Sequence, residues 1–421
     1  MVKTRQTCRV CGSSSLAPVI SLGDQWLASN FGISADFPPV DRKIPLELVR
    51  CDPQRSETAC GLVQLRHTVA SDLMYSSYGY RSGVNETMTR HLQGIAQGLE
   101  ERVDLQPGDL VIDIGANDGT LLLSYKTNGA TYVGFEPSDI LPSAPAPRLK
   151  YVKDYFSAAG FRRHVGDRRA KLITSIAMFY DLENPNAFVA DIAALLAEDG
   201  LWTLELSYLP SMLEKGSFDT ICHEHLEYYS LSTLEKVIAP HGLQIADVEL
   251  NDSNGGSMRV TVCHQGSRRG EHSTSARSRI YNLKRREFEM QLDTDRPYRA
   301  FSSTVEQIRG ALAPLIERLR ASGKSVYGYG ASTKGNVILQ YCGLGPAHVT
   351  AIADRNPSKW GSRTIGTNIP IVSEEEMRQA KPDFLLVLPW HFIAEFRARE
   401  EPFLARGGRF IVPVPKVEIV A

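Results

Sequence analysis

The stretch LVIDIGANDGTLLLSY, residues 110–125, limits the fold more than any other part of the chain. Leu110 to Ile114 is an apolar run of strand length. Gly115 and Gly119 then mark a turn, and the leucines beyond it read as a helix. A second apolar run, YVGF, leads into Glu136, 17 residues past Gly119. Strand, glycine turn, helix and strand in this order predict a parallel sheet covered by helices, an α/β unit.

The same turn carries chemistry. Glycines let a ligand approach backbone N–H groups at a helix N-terminus. An acid at the end of the second strand accepts both hydroxyls of a ribose. The pattern Asp113-x-Gly115-x-x-x-Gly119, with Asn117 inside it, offers fewer glycines to a pyrophosphate than the dinucleotide G-x-G-x-x-G. It suits a nucleoside without phosphates, so S-adenosylmethionine is the expected ligand of Asp113, Gly115, Asn117, Gly119 and Glu136. In YVKDYF, Asp154 ends a third strand, where an acid meets an adenine amine. KLITSIAMFYDL predicts a fourth strand, and NPNAFVADIAALLAEDG a helix closed by Gly200. LWTLELSY predicts a fifth strand, and LQIADVEL with SMRVTVCH a final pair. Ahead of the sheet, Met88, Leu92, Ile95 and Leu99 place a helix over residues 85–103. The turn before it holds Tyr75, Tyr78 and Tyr80, which fit either a pocket wall or plain packing.

A second alternating unit follows a charged helical stretch, residues 266–323. KSVYGYGASTKGNVILQYCGL, VTAIADRN, IPIVS, FLLVLPW and RFIVPVP read again as strands, a glycine turn and helices. The turn Gly328-Tyr329-Gly330-Ala-Ser-Thr-Lys334-Gly335 looks like a phosphate cradle with a lysine added. Thr333 stands where G-x-G-x-x-G has its third glycine, and Asp354 lies 24 residues past Gly330, where a ribose-binding acid is expected. This unit binds a nucleotide or descends from one that did.

With 421 residues, 43% hydrophobic and 23% charged, the chain has room for two to three soluble globular domains. A net charge of −1 gives no global basic field toward nucleic acid or an anionic membrane. No apolar run reaches bilayer length, and MVKTRQTCRVCG lacks the apolar core of a secretory signal. A cytoplasmic location is therefore expected, where cysteines serve metals rather than disulfides. Cys8 and Cys11 form a C-x-x-C knuckle, and Cys51 and Cys60 supply two more thiols. Four thiolates make a closed tetrahedral zinc site of structural role, set against four incidental cysteines.

SFDTICHEHLEYYSL, residues 217–231, crowds titratable groups beside the carboxyl edge of the first sheet. Three readings stand. On a strand, His223 and His225 share a face and could hold a metal. Alternatively, His225 accepts a proton near neutral pH, with Glu224 or a tyrosine orienting it or polarising a carbonyl. The third reading is a solvated surface loop.

CRVCG with LGDQWLASNF, VIDIGANDGTLL, SFDTICHEHLEYYSL and GYGASTKGN…ADRNPSKWG…IPI occur in one order along the whole chain. In this the chain resembles the sugar C-methyltransferases that act on dTDP-4-keto-6-deoxyhexoses in antibiotic biosynthesis. The resemblance implies a four-cysteine zinc-binding module (1–70), a Rossmann-like S-adenosylmethionine-binding domain (71–265), a helical connector (266–323) and a C-terminal Rossmann-like nucleotide-sugar domain (324–421). It implies that His225 removes the proton α to the C4 ketone, with Glu224 as partner, and that the enolate takes a methyl group at C3 or C5. Tyr78 and Tyr80 would line the sugar pocket or bond the keto oxygen, Tyr329 would contact substrate, and Lys334 would sit near the diphosphate. Some members carry tyrosine at Cys222 and histidine at Asp181, so those roles do not transfer. Two other classes fit parts of the pattern: an NAD-dependent sugar-nucleotide oxidoreductase, and a non-catalytic zinc-bearing binding protein. A monomer and a homodimer both remain open.

Overall fold

The computed structural model describes residues 2–29, 42–70, 73–74, 81–140, 142, 147–270 and 273–421. Tyr75, Tyr78 and Tyr80 lie outside these residues.

The central sheet has seven strands. Counted from Leu110–Ile114, its order is 6-7-5-4-1-2-3: Leu243–Asn251, Ser257–His264, Leu196–Ser207, Ala170–Ile176, Leu110–Ile114, Thr131–Phe135 and Leu149–Val152. Strands one to five run parallel, and Ser257–His264 is antiparallel to both of its neighbours. Every residue of Leu110–Ile114 is buried, as a parallel strand covered on both faces requires. The chain order reverses beside this first strand, which opens a crevice at the carboxyl ends. The helix Glu86–Val103 packs there on Leu92, Ile95, Ala96 and Leu99, and Asn85 caps it by accepting from the amides of Thr87 and Met88.

One expected boundary moves. The helix beginning at Pro185 ends at Leu195, and Leu196–Ser207 is a single strand that contains Gly200. Leu196 pairs with Ala170, and the register then shifts before Leu201. A Cβ at Gly200 would lie 2.8 Å from the carbonyl oxygen of Ala170, so the glycine serves close strand approach rather than helix termination.

The C-terminal sheet has six strands in the order 3-2-1-4-5-6 when counted from Val326–Tyr329. Its first five strands are parallel, and Glu418–Val420 is antiparallel. The long helix Arg296–Ala321 buries Phe301, Val305, Ile308, Leu312 and Ile316 in the same core as this sheet.

The cysteine-bearing segment builds only a small core of its own, from Leu27, Ile44, Val69 and Met74. Leu46, Leu48, Val63 and Leu65 join the core of the C-terminal sheet, while Cys8, Cys51 and Cys60 join the core of the central one. A segment this short cannot bury enough apolar surface alone, and here it wedges between two larger units. Its antiparallel sheet of Leu16–Gln25, Ile44–Cys51 and Val63–Leu65 gains a fourth strand, Glu227–Tyr228, from the histidine-rich stretch. No helix among the described residues is long and apolar enough to cross a membrane.

Candidate active site

One cleft of ≈ 1700 Å³ joins the two α/β units. Asp113, Gly115, Asn117, Glu136 and Asp154 line one end, and Gly330, Ser332, Lys334, Asp354 and Lys359 the other. Cys222, Glu224 and His225 lie on its wall as well.

At the first end, Gly115 and Gly119 have φ of 72° and 75°, and Asn117 adopts φ 50°. This left-handed backbone explains the glycines. A Cβ on Gly115 would also press on Met178, 3.2 Å from its Cγ. Glu136 is 7% exposed and accepts from the amides of Asn117 (3.0 Å) and Ser138 (2.9 Å), one on each carboxylate oxygen. Each oxygen keeps a further lone pair, so the carboxylate can still accept two hydroxyls. Asp113 is fully buried, and burial pushes its carboxyl up to about 7 although Thr174 donates to it at 2.6 Å. Asp154 accepts from the Tyr155 amide at 2.8 Å and faces the same end. Asp118, which carried no sequence signal, accepts from the Gly83 amide at 2.8 Å and ties the turn to the segment before the first helix.

The histidine-rich stretch is neither strand nor surface at its centre. A short 3-10 turn, Phe218–Thr220, leads into an irregular loop, and pairing resumes at Glu227. His223 is 1% exposed and bonds the Ile44 carbonyl oxygen at 3.2 Å. His225 Nδ1 lies 2.8 Å from the Thr220 carbonyl oxygen. The two imidazoles are held on different carbonyls, so the shared face expected of a strand does not form.

A carbonyl oxygen only accepts, so Nδ1 of His225 carries its proton and Nε2 is left basic. The Tyr180 ring meets this imidazole edge-on at 4.5 Å and fixes its plane. Burial lowers its pKa to about 4, so it is neutral at physiological pH and competent to accept a proton. Glu224 is buried, and neither carboxylate oxygen has an N–H or O–H donor among the described residues. The Cys222 thiol lies against that carboxylate, and burial keeps it protonated.

At the other end, Gly330 adopts φ 82°, and a Cβ there would meet Pro389 at 2.6 Å. Ser332 caps the helix Thr333–Tyr341, accepting from the Gly335 amide at 3.0 Å. Asp354 braces this turn by accepting from the Ala331 amide at 2.8 Å and pairing with Lys359 at 3.5 Å. The Tyr329 hydroxyl lies between Glu400 (2.8 Å) and Glu374 (2.9 Å) and donates its one hydrogen between them, its ring packs on Phe396, and the residue is 1% exposed. Tyr329, Glu374 and Phe396 all line this end of the cleft. Lys334 crosses to the central domain and donates to the Asn254 carbonyl oxygen at 2.5 Å. His391, just past the fourth strand of the C-terminal sheet, lines the cleft too, and its Nδ1 has no partner among the described residues.

The four cysteine sulfurs lie within 4.8 Å of one another, with Cys8–Cys60 and Cys11–Cys51 each at 3.5 Å. Sulfurs about 2.3 Å from a tetrahedral zinc stand nearly this far apart. The Cys51 sulfur beside it pushes the Cys8 thiol up to about 12, so several thiolates can coexist here only around a cation. The donor set therefore fits zinc.

A nucleoside turn, an acid on the second strand and a neutral base on the cleft wall define an S-adenosylmethionine-dependent methyltransferase. Family models agree in kind: a zinc binding domain matches residues 8–75, a methyltransferase domain 85–248 and a C-methyltransferase C-terminal domain 252–415. The C-methyltransferase NovU of Streptomyces niveus is 32% identical over 428 residues, covering 100% of this chain and 98% of its own. The chain belongs to the C-methyltransferase family that includes NovU. Among solved structures, the magnesium protoporphyrin IX methyltransferase of Synechocystis PCC 6803 is 14% identical over 45% of this chain and 90% of its own, with a TM-score of 0.34. A Burkholderia thailandensis 1,6-didemethyltoxoflavin-N1-methyltransferase is 15% identical over 44% and 80%, with a TM-score of 0.33. These two likenesses are too partial to bear on the assignment.

Proposed function

We propose that this enzyme transfers a methyl group to a ring carbon of a dTDP-4-keto-6-deoxyhexose, at C3 or C5, through an enolate. One observation carries the reading: the cleft runs without interruption from Glu136, past His225, to the second glycine turn. At ≈ 1700 Å³ it exceeds the roughly 300–1,000 Å³ that one small ligand fills, and it suits a nucleoside donor beside a nucleotide sugar.

Bound S-adenosylmethionine would supply an electrophilic methyl group on a sulfonium. Glu136 accepts the ribose hydroxyls, Asp154 the adenine amine, and the Gly115–Gly119 turn admits the nucleoside. Ser332 and the N-terminal amides of its helix face the diphosphate. Nε2 of His225 takes the proton from the carbon α to the ketone, and Glu224 steadies the resulting imidazolium. The electron pair left on that carbon attacks the sulfonium methyl; the carbon–sulfur bond breaks and S-adenosylhomocysteine leaves. The imidazolium then returns its proton to water. Tyr78 and Tyr80 are assigned to the sugar wall on sequence grounds.

The test incubates the enzyme with methyl-¹³C donor and dTDP-4-keto-6-deoxyglucose. A labelled methyl bonded to a ring carbon, read by carbon–proton NMR, is the expected product. A label on oxygen would overturn the reading.

A further inference from the structure

We propose that Lys334 is the enolate-stabilising cation of this active site: its ammonium bonds the C4 keto oxygen as the α proton leaves, rather than holding the diphosphate. The assignment rests on the enolate reading above.

An enolate forms only where its oxygen is stabilised, because the negative charge resides mainly there. The described groups on the cleft wall near His225 are the candidates for that donor. Glu224 as a carboxylate cannot donate, and the Cys222 thiol is a weak donor already turned to Glu224. His225 spends its single N–H on the Thr220 carbonyl. Lys334 remains. It leaves the first turn of its helix, crosses the cleft and is tethered by the carbonyl of Asn254 at 2.5 Å. Asn254 presents that oxygen from a left-handed turn (φ 54°, ψ 21°), so the tether is built into the backbone.

This is the ammonium's one hydrogen bond among the described residues, and two of its three N–H donors remain for a ligand. No carboxylate lies within ion-pair distance of it among the described residues; burial lowers its pKa, and the nearby Asp219 charge opposes that. The ammonium is close enough to lower the basicity of His225, and Asp219 and Cys222 feel it as well. The same proximity has a chemical use. A neutral base with a pKa near 4 removes a carbon-bound proton only when the product oxyanion is strongly held. The ammonium supplies that hold, and the enolate offsets its repulsion of the new imidazolium.

Lys334→Met separates the two roles. Three quantities are measured: dTDP affinity by calorimetry, donor affinity as a check of folding, and ring-proton exchange into D2O at saturating keto-sugar without donor. The expected result is dTDP and donor affinities within about threefold of wild type and exchange slowed at least ~100-fold, as for loss of one oxyanion donor. A tenfold or larger loss of dTDP affinity with exchange at saturation unchanged would return Lys334 to the diphosphate and overturn the proposal. Should Lys334→Met fail to bind donor, Lys334→Arg takes its place. Its misplaced fork should slow exchange at least ~10-fold with dTDP affinity kept; unchanged exchange would refute the assignment. A wild-type enzyme that exchanges no ring proton sinks the enolate reading, and this assignment with it.

Discussion

Replacing Glu136 by glutamine tests the methyl-donor end of the cleft quantitatively. The carboxylate already accepts the Asn117 amide at 3.0 Å on one oxygen and the Ser138 amide at 2.9 Å on the other. Two ribose hydroxyls therefore meet an anion oriented from behind. Glutamine removes the charge from both ribose bonds. It also places an NH2 group against one of the two amides, donor facing donor. A hydrogen bond to a charged group contributes about 1.5–3 kcal/mol and a neutral one about half that. Losing one ribose bond and weakening the other thus costs about 2–3 kcal/mol, or a donor affinity about 30- to 150-fold weaker. Calorimetric titration of S-adenosylhomocysteine into wild type and Glu136→Gln measures this directly. The turn itself should survive, since Gly115 and Ala116 still donate to the Phe135 carbonyl, and an unchanged melting temperature checks that. A change in affinity below threefold, with the fold intact, would mean that Glu136 braces the turn and does not touch the donor.

The pH dependence of α-proton exchange should follow His225. Its folded pKa, lowered by burial to about 4, lies below the ordinary 6.5, so activity measured from pH 8 downward should hold to about pH 5 and fall only beneath it. An inflection at 6.5 or above would contradict this. For stability, the unfolded chain binds the extra proton first as pH falls, so this histidine's contribution is complete above about 6.5 and is lost between 6.5 and 4. Cys51→Ser should lower bound zinc, read by elemental analysis, from one per chain toward zero. It should also lower the melting temperature, because Cys51 joins the core of the central sheet. Full zinc content in the variant would show that this cluster is not the metal site.

The glycine turns were legible because each combines an apolar strand with a backbone conformation that only glycine adopts cheaply, as φ of 72° at Gly115 and 82° at Gly330 show. The boundary at Leu195 was not. AALLAEDG continues a helical apolar spacing, and only the pairing of Leu196 with Ala170 turns it into strand. The pairing of Glu227–Tyr228 with Val63 and Gln64 was equally hidden, since a two-residue strand has no periodicity to read. At the site, His225 and Glu224 stood out as a cluster in sequence. The destination of Lys334 did not, because its flexible arm ends on a residue 80 positions away in another unit. His391 had only its position past an apolar strand to mark it.

Deuterium wash-in is the most direct test of the base-generated enolate. The enzyme is incubated in D2O with dTDP-4-keto-6-deoxyglucose, without donor, and the ring protons are followed by NMR for wild type and His225→Asn. Wild type should exchange one ring proton α to the ketone, and His225→Asn, with wild-type affinity for dTDP, should exchange none above the solvent rate. Exchange that persists undiminished in His225→Asn would contradict the assignment of the base. Wild-type methylation of carbon without any such exchange or proton loss would contradict the enolate itself.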